Sequence, residues 1–174
     1  MIKGPDDRFI IERLEPRHDR AGFTCGVPAL DAYIQKQAGQ DQARNLASVF
    51  VLTSDGEAIA GFYTLSAQSI LARDLAAATA KKLLRFPLSV TLLGRMAVSS
   101  AMRGQNLGRL LLFDALERAL LGAKQVASWA VVVDAKHGAR DFYLKYTFKP
   151  FPLQPDRSYL PMQVIRTLLG SSKI

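Results

Sequence analysis

Between residues 103 and 109 the chain reads Arg103-Gly104-Gln105-Asn106-Leu107-Gly108-Arg109. Glycines at 104 and 108 let the backbone approach a ligand closely, and the two arginines bring positive charge beside it. The first turn of a helix starting here would offer unpaired N–H groups and a partial positive charge, a ready seat for phosphate. A pyrophosphate held mainly by the amides of residues 104–109 is the ligand these features suit. They suit an ordinary strand-to-helix connection equally well, so the turn alone does not decide. It is neither a G-x-x-x-x-G-K-[ST] loop nor a G-x-G-x-x-G loop.

A second candidate is Tyr143, on a stripe with Ala139, Phe142 and Tyr146. A phenol can donate a proton in catalysis, and a ring on such a stripe can equally be core. The single cysteine, Cys25, excludes an internal disulfide and has no partner constellation as a nucleophile. Two histidines, His18 and His137, are too few for a metal site, and none is expected.

These residues need elements to hold them. A strand over 9–14 is closed by Pro16. Pro28 opens a helix on which Leu30, Tyr33, Ile34, Gln37 and Ala38 keep helical spacing. Strand 48–53 turns at Asp55-Gly56 into strand 57–69. Helix 73–85 stops before Pro87. Strand 90–98 leads through the polar turn 99–106 into helix 107–121, ended by Gly122. Residues 126–133 read as a strand buried on both faces, followed by a helix carrying Tyr143. Residues 147–151 and 158–165 read as two short strands, Pro161 confining the last to an edge or bulge. The order predicts one α/β domain over residues 1–174, a mixed sheet with helices on both faces.

With 174 residues, 49% of them hydrophobic, the chain can bury a sizeable core. No apolar run is long enough for a transmembrane helix, and the charged start lacks a signal-peptide core, so a cytoplasmic protein without membrane contact is expected. The net charge is +8, which attracts anions: nucleic acid, an anionic cofactor, an acidic protein or a membrane surface, if it is more than a solvated basic face.

The turn resembles the [QR]-x-x-G-x-[GA] signature of the GNAT (Gcn5-related N-acetyltransferase) superfamily. Arg103 and Gly108 match its ends, and Asn106 stands where the middle glycine is usual. Asn tolerates left-handed backbone better than other non-glycine residues. The late family segment A-x-x-F-Y-x-x-x-G-F is similar to residues 139–148, with Thr147 in place of the glycine. The chain further resembles the GNAT toxins of type II toxin–antitoxin modules. The similarity runs through Phe23-Thr24-Cys25-Gly26 to Tyr33-Ile34, Phe50-Val51-Leu52, Gly61-Phe62-Tyr63-Thr64-Leu65-Ser66, Leu93-Gly94-Arg95-Met96-Ala97-Val98 and Tyr159-Leu160-Pro161-Met162.

The resemblance implies a GNAT fold with a mostly antiparallel sheet, acetyl-CoA as acetyl donor, and transfer to the α-amino group of aminoacyl-tRNA. It implies a ribbon-helix-helix antitoxin and a homodimer. By it, the backbone of Met96, Ala97 and Val98 aligns the acetyl and pantetheine arm, residues 103–109 take the pyrophosphate, and Tyr143 is the general acid. No Asp or Glu occurs between Glu57 and Asp74 or between Asp74 and Asp114. A lysine amine, with pKa about 10.4, is only roughly a thousandth neutral near pH 7.4 and benefits from a base; an α-amine, with pKa about 7.7–8.0, is already roughly a third neutral there. The missing carboxylate therefore favours an α-amino acceptor. An amine on a protein or small molecule, or a non-catalytic CoA- or RNA-binding role, are the alternatives. Arg73, Lys81, Lys82, Arg85, Lys136, Arg140, Lys145, Lys149 and Arg157 are candidates for tRNA phosphates, and His137 for a contact to RNA or substrate.

Overall fold

The computed structural model describes residues 8–83, 87–136 and 138–171. Seven strands form one sheet: β1 (Ile10–Arg13), β2 (Ser48–Thr53), β3 (Gly61–Ile70), β4 (Leu88–Val98), β5 (Ala130–Asp134), β6 (Lys149–Phe151) and β7 (Gln154–Pro161), in the spatial order β1-β2-β3-β4-β5-β7-β6. β1/β2, β2/β3, β5/β7 and β6/β7 are antiparallel, whereas β4 and β5 are parallel. The helices are α1 (Pro28–Ala32), continued through a π-helical turn (Tyr33–Gln37) into α2 (Ala38–Ala43), then α3 (Ala77–Ala80), α4 (Leu107–Ala123), α5 (Arg140–Lys145) and α6 (Met162–Ser171). The expected mixed, mostly antiparallel sheet is thus present.

The chain divides into two compact units, Met1–Ser66 with Gly94–Ala115 and Ala67–Leu93 with Leu116–Ile174. In the first, Tyr33, Ile34 and Ala38, on the stripe read from the sequence, pack with Phe23, Val49, Val51, Phe62 and Ala97. Glutamines fasten the helical segment to its surroundings. Gln35 Nε2 donates to the Phe23 carbonyl at 2.8 Å and Gln42 Nε2 to the Leu14 carbonyl at 2.8 Å, while Gln42 Oε1 accepts the Val49 N–H at 3.2 Å. In the second unit Ile70, Leu75, Val90, Ala130, Val132, Phe151 and Tyr159 form the core.

Four sequence expectations are corrected. The helix over 73–85 is a 3₁₀ turn (Ala72–Asp74) and the short α3; Leu75 is the only buried residue among 73–83, too little to anchor a long helix, and residues 84–86 lie outside the described set. The strand over 126–133 begins at Ala130, because Val126 is 78% exposed and the buried run, Ala130 and the three valines after it, is only four residues long. β3 starts at Gly61 rather than at 57, after Asp55 has accepted the N–H groups of Glu57 and Ala58 at 2.8 Å and bent the chain. The last strand is internal, between β5 and β7's partner β6. Pro161 is its final residue, past the end of β6 pairing at Tyr159, so its missing N–H interrupts nothing there; α6 follows, where strand had been read to 165.

Candidate active site

In the first unit the end of β4 and the turn after it form the first candidate region. The ladder with β5 joins Thr91, Leu92 and Leu93 to Val131, Val132 and Val133, yet β4 runs on to Val98. The Arg95 N–H donates to Thr64 Oγ1 at 3.1 Å and the Ser99 N–H to the Ala60 carbonyl at 2.8 Å. The Ala97 carbonyl oxygen lies 2.9 Å from where a Cβ on Gly61 would stand. Residues 95, 97 and 99 are therefore turned towards β3 and its approach, and strand alternation turns the N–H and C=O groups of Met96 and Val98 the other way. An extended, amide-bearing ligand can pair with such an edge as an added strand does. Gly61 is required by this closeness. A side chain there would also meet Leu111 Cδ1 at 2.8 Å and displace the β4 backbone.

Beyond Val98 a 3₁₀ turn (Ser100–Met102) leads to extended Arg103 and then to Gly104 at φ +81° and Asn106 at φ +61°. Asn106 thus adopts the left-handed conformation that its side chain tolerates. A Cβ on Gly104 would meet nothing within 4 Å, so the backbone sign, not crowding, requires glycine. The Leu110 N–H donates to the Asn106 carbonyl at 3.4 Å, the first helical bond of α4. The amides of Leu107, Gly108 and Arg109 precede it and are left for a ligand. Leu107 is buried and anchors the helix start, while Arg103, Gly104, Gln105, Asn106 and Arg109 are exposed and Gly108 half-buried. The Arg109 guanidinium lies over the Phe113 ring, 4.9 Å from its centroid, and Gln105 Nε2 is 3.9 Å from Met102 Sδ.

Arg103 is used in a way the sequence did not show. Its Nη2 donates to the Cys25 carbonyl at 2.7 Å, and a Cβ on Gly26 (φ +86°) would stand 3.1 Å from the same nitrogen. Asp31 completes the loop: its Oδ1 accepts the Cys25 N–H at 2.7 Å and its Oδ2 the Thr24 hydroxyl at 3.1 Å. The Ser100 N–H donates to the Thr24 carbonyl at 2.9 Å. The early F-x-C-G segment and the late turn are thus bonded together. Cys25 is buried, and that burial, with the nearby Asp31, pushes its thiol up, away from the reactive thiolate.

Tyr143, in the second unit, is 6% exposed. Its ring is held edge-on by Phe142 at 5.2 Å and Phe148 at 5.5 Å. The Tyr146 ring also packs edge-on against Phe142 at 5.3 Å. Burial pushes the Tyr143 hydroxyl well above its ordinary pKa, so the phenol stays protonated at neutral pH. No partner among the described residues hydrogen-bonds that hydroxyl. After α5 the chain reverses through Thr147 at φ +68°, the place of the family's glycine, and Phe148 returns its ring to Tyr143. Of the candidate phosphate contacts, Arg73, Lys81, Lys82, Lys136, Arg140, Lys145 and Lys149 are exposed and Arg157 is half-buried; Arg85 and His137 lie outside the described residues. Among the described residues no group of three or more His, Cys, Asp or Glu could hold a metal ion, and no helix is long and apolar enough to cross a membrane.

A diphosphate on the α4 amides and an amide-bearing arm along Met96 and Val98 describe a ligand such as acetyl-CoA. The sequence profile of the family described as an acetyltransferase (GNAT) domain matches residues 45–150, more than half the chain. A curated relative from Mycobacterium tuberculosis (strain ATCC 25618 / H37Rv), a "tRNA-acetylating toxin", is 33% identical over 91% of this chain and 95% of its own. A "Probable toxin TacT" from Sinorhizobium fredii (strain NBRC 101917 / NGR234) is 34% identical over 92% and 95%. Two solved structures share the fold. AtaT complexed with acetyl-methionyl-tRNAfMet has a TM-score of 0.85 at 22% identity, covering 92% of this chain and 98% of that one. A mutant AtaT toxin bound to the C-terminus of the antitoxin AtaR and acetyl-CoA has a TM-score of 0.79 at 21% identity, covering 93% and 98%. A strand edge and helix start that suit acetyl-CoA, a matching profile and relatives a third identical along nearly their whole length agree: the chain belongs to the GNAT family of acetyl-CoA-dependent N-acetyltransferases.

Proposed function

We propose that this enzyme transfers the acetyl group of acetyl-CoA to the α-amino group of the amino acid on charged tRNA, and so acts as a toxin that blocks translation. The observation that carries the reading is the near end-to-end similarity to a tRNA-acetylating toxin. The whole chain acts as a single acetyltransferase domain in the cytoplasm. The amides of residues 104–109 take the diphosphate, and the backbone of Met96 and Val98 aligns the pantetheine and acetyl group; Ala97, read from the resemblance as part of that edge, is turned to Gly61 instead. The neutral amine attacks the thioester carbonyl carbon, the new C–N bond forms as the C–S bond breaks, and the amine's surplus proton leaves to water. Tyr143, kept protonated by burial, gives its proton to the departing sulfur and regains one from water, which has taken the amine's. A small ribbon-helix-helix antitoxin neutralises the enzyme, in line with the antitoxin-bound AtaT, and two copies form a homodimer.

The test is incubation with labelled acetyl-CoA and total charged tRNA, for wild type and Tyr143→Phe. Wild type is expected to label the aminoacyl group. Tyr143→Phe, which keeps the ring and loses the hydroxyl, is expected to lose about 10²–10⁴-fold in kcat with acetyl-CoA affinity unchanged by calorimetry. A wild type that leaves charged tRNA unlabelled would end the substrate reading, and a Tyr143→Phe enzyme at full rate would end the assignment of the acid.

A further inference from the structure

One basic side chain in the second unit differs from the others in burial and in bonding. Arg157 keeps 19% of its side chain exposed and lies against the Phe151 ring, 5.1 Å from Cζ to centroid. The antiparallel register sets it opposite Asp134, the last residue of β5. From β7 its Nη2 donates to Gln68 Oε1 on β3 at 2.9 Å. β3 and β7 are not neighbours. β5 and β4 lie between them, so the two side chains meet across the face of those strands. Strand alternation puts Arg157 and Gln68 on the face of Tyr159 and Ile70, both core residues of this unit.

The guanidinium is poorly matched by the protein itself. Of its five N–H donors, one makes a hydrogen bond of ordinary length to a described residue. Its Nε is buried and has no hydrogen-bond partner among the described residues. The nearest carboxylate oxygen, Asp134 Oδ1, stands 3.7 Å away, beyond hydrogen-bond range. Native structures rarely leave a buried donor in that state, and when they do the vacancy asks for an explanation. A planar fork of unused donors suits an anionic oxygen pair. Its position agrees. β4 and β5 are a parallel pair within this mostly antiparallel sheet, and in open α/β sheets ligands bind past the C-terminal ends of parallel strands. Asp134 is such an end, and the chain runs from it into α5, which carries Tyr143.

We propose that Arg157, oriented by Gln68, binds a phosphate oxygen of the acceptor end of the charged tRNA. This rests on the tRNA reading above. The net charge of +8 favours a polyanion, and a peptide carboxylate is disfavoured because Asp134 already offers one without closing to a hydrogen bond.

The experiment compares wild type, Arg157→Lys, Arg157→Gln and Gln68→Ala on charged tRNA and on aminoacyl-adenosine, which lacks any phosphodiester, with thermal melting alongside. For Arg157→Gln the KM for charged tRNA should rise roughly 10-fold or more, the effect of losing one charge-assisted hydrogen bond, with the KM for acetyl-CoA within about twofold. The slope of log kcat/KM against log salt should flatten by about 0.7, the loss of one single-strand phosphate contact. Aminoacyl-adenosine should be acetylated by Arg157→Gln as by wild type. Arg157→Lys should restore part of the tRNA loss, and Gln68→Ala should weaken tRNA in the same direction. Equal losses on both substrates, or a rise in both KM values together with a lowered Tm, would show a structural brace and overturn the proposal. So would unchanged tRNA kinetics with weakened binding of an acidic peptide. A wild type inactive on charged tRNA overturns the reading underneath it, an outcome distinct from an active wild type matched by its Arg157→Gln variant.

Discussion

The Tyr63 hydroxyl donates to Asp114 Oδ2 at 2.6 Å, joining β3 to α4 in a place where both side chains are buried. Asp114 is the first carboxylate in the chain after Asp74. Its bond makes it part of the first unit's framework rather than a base waiting for an amine. Hydrogen bonds to charged groups contribute about 1.5–3 kcal/mol. Tyr63→Phe should lower stability by about that amount, read as the shift in urea midpoint at constant m-value, while kcat changes little. A large loss of kcat with unchanged stability would mean that Asp114 takes part in proton transfer.

Arg103 Nη2 on the Cys25 carbonyl predicts a structural cost that appears before any ligand is added. Arg103→Ala should lower the Tm of the ligand-free protein, with a loss of about 1–2 kcal/mol for a partly buried charged bond. Gly26→Ala should do the same, through its φ of +86° and the 3.1 Å approach of the same nitrogen. Acetyl-CoA affinity, measured by calorimetry, should fall less than it does for Gly108→Asp, which puts bulk and negative charge among the α4 amides. If ligand-free Arg103→Ala melts like wild type and only acetyl-CoA binding suffers, the guanidinium acts on phosphate instead.

Asn106 and Thr147 occupy left-handed backbone at φ +61° and +68°. A β-branched residue is the less tolerant of the two. Thr147→Gly should stabilise by up to about 1 kcal/mol, the strain relieved less the entropy of a glycine; for a chain of this size that is a rise in Tm of about 2–4 °C. Asn106→Gly should gain only a few tenths of a kcal/mol, and Asn106→Val should lose about 1–2 kcal/mol. Equal effects of glycine at both positions would contradict the account.

His18 accepts the Glu15 N–H at Nδ1 (2.9 Å), which leaves the Nε2 proton facing Glu12 Oε1 at 2.9 Å, and Arg17 Nη2 reaches the same oxygen at 2.7 Å. Burial alone would raise Glu12, but these hydrogen bonds outweigh it and hold the carboxyl below its ordinary 4.5. A depressed folded-state pKa gives stability that is present above the unfolded value and is lost as pH falls through the folded one. Glu12→Gln should therefore be less stable than wild type at pH 7, by under about 1 kcal/mol because solvent screens the pair. The difference should shrink as pH drops below 4.5. A gap that widens in acid would reverse the sign and refute the assignment.

What the sequence determined by itself is local. The glycine, asparagine and arginine pattern of 103–109 announced a left-handed turn into a helix, because backbone sterics act between adjacent residues. The spacing of Leu30, Tyr33, Ile34 and Ala38 announced a buried helical face for the same short-range reason. The motif placed Tyr143 on a helical stripe with Phe142 and Tyr146, though the burial of its ring among Phe142 and Phe148 was not visible there. Tertiary structure decided what depends on distant partners. Arg103 meets Cys25 across 78 positions, Arg157 meets Gln68 across 89, and Tyr63 meets Asp114 across 51. It also decided that Gly61 must be bare against Ala97 and that β7 inserts between β5 and β6. Such pairings follow from sheet register and packing, which are set by the sum of many weak burials over the whole chain. No window of neighbouring residues carries that sum.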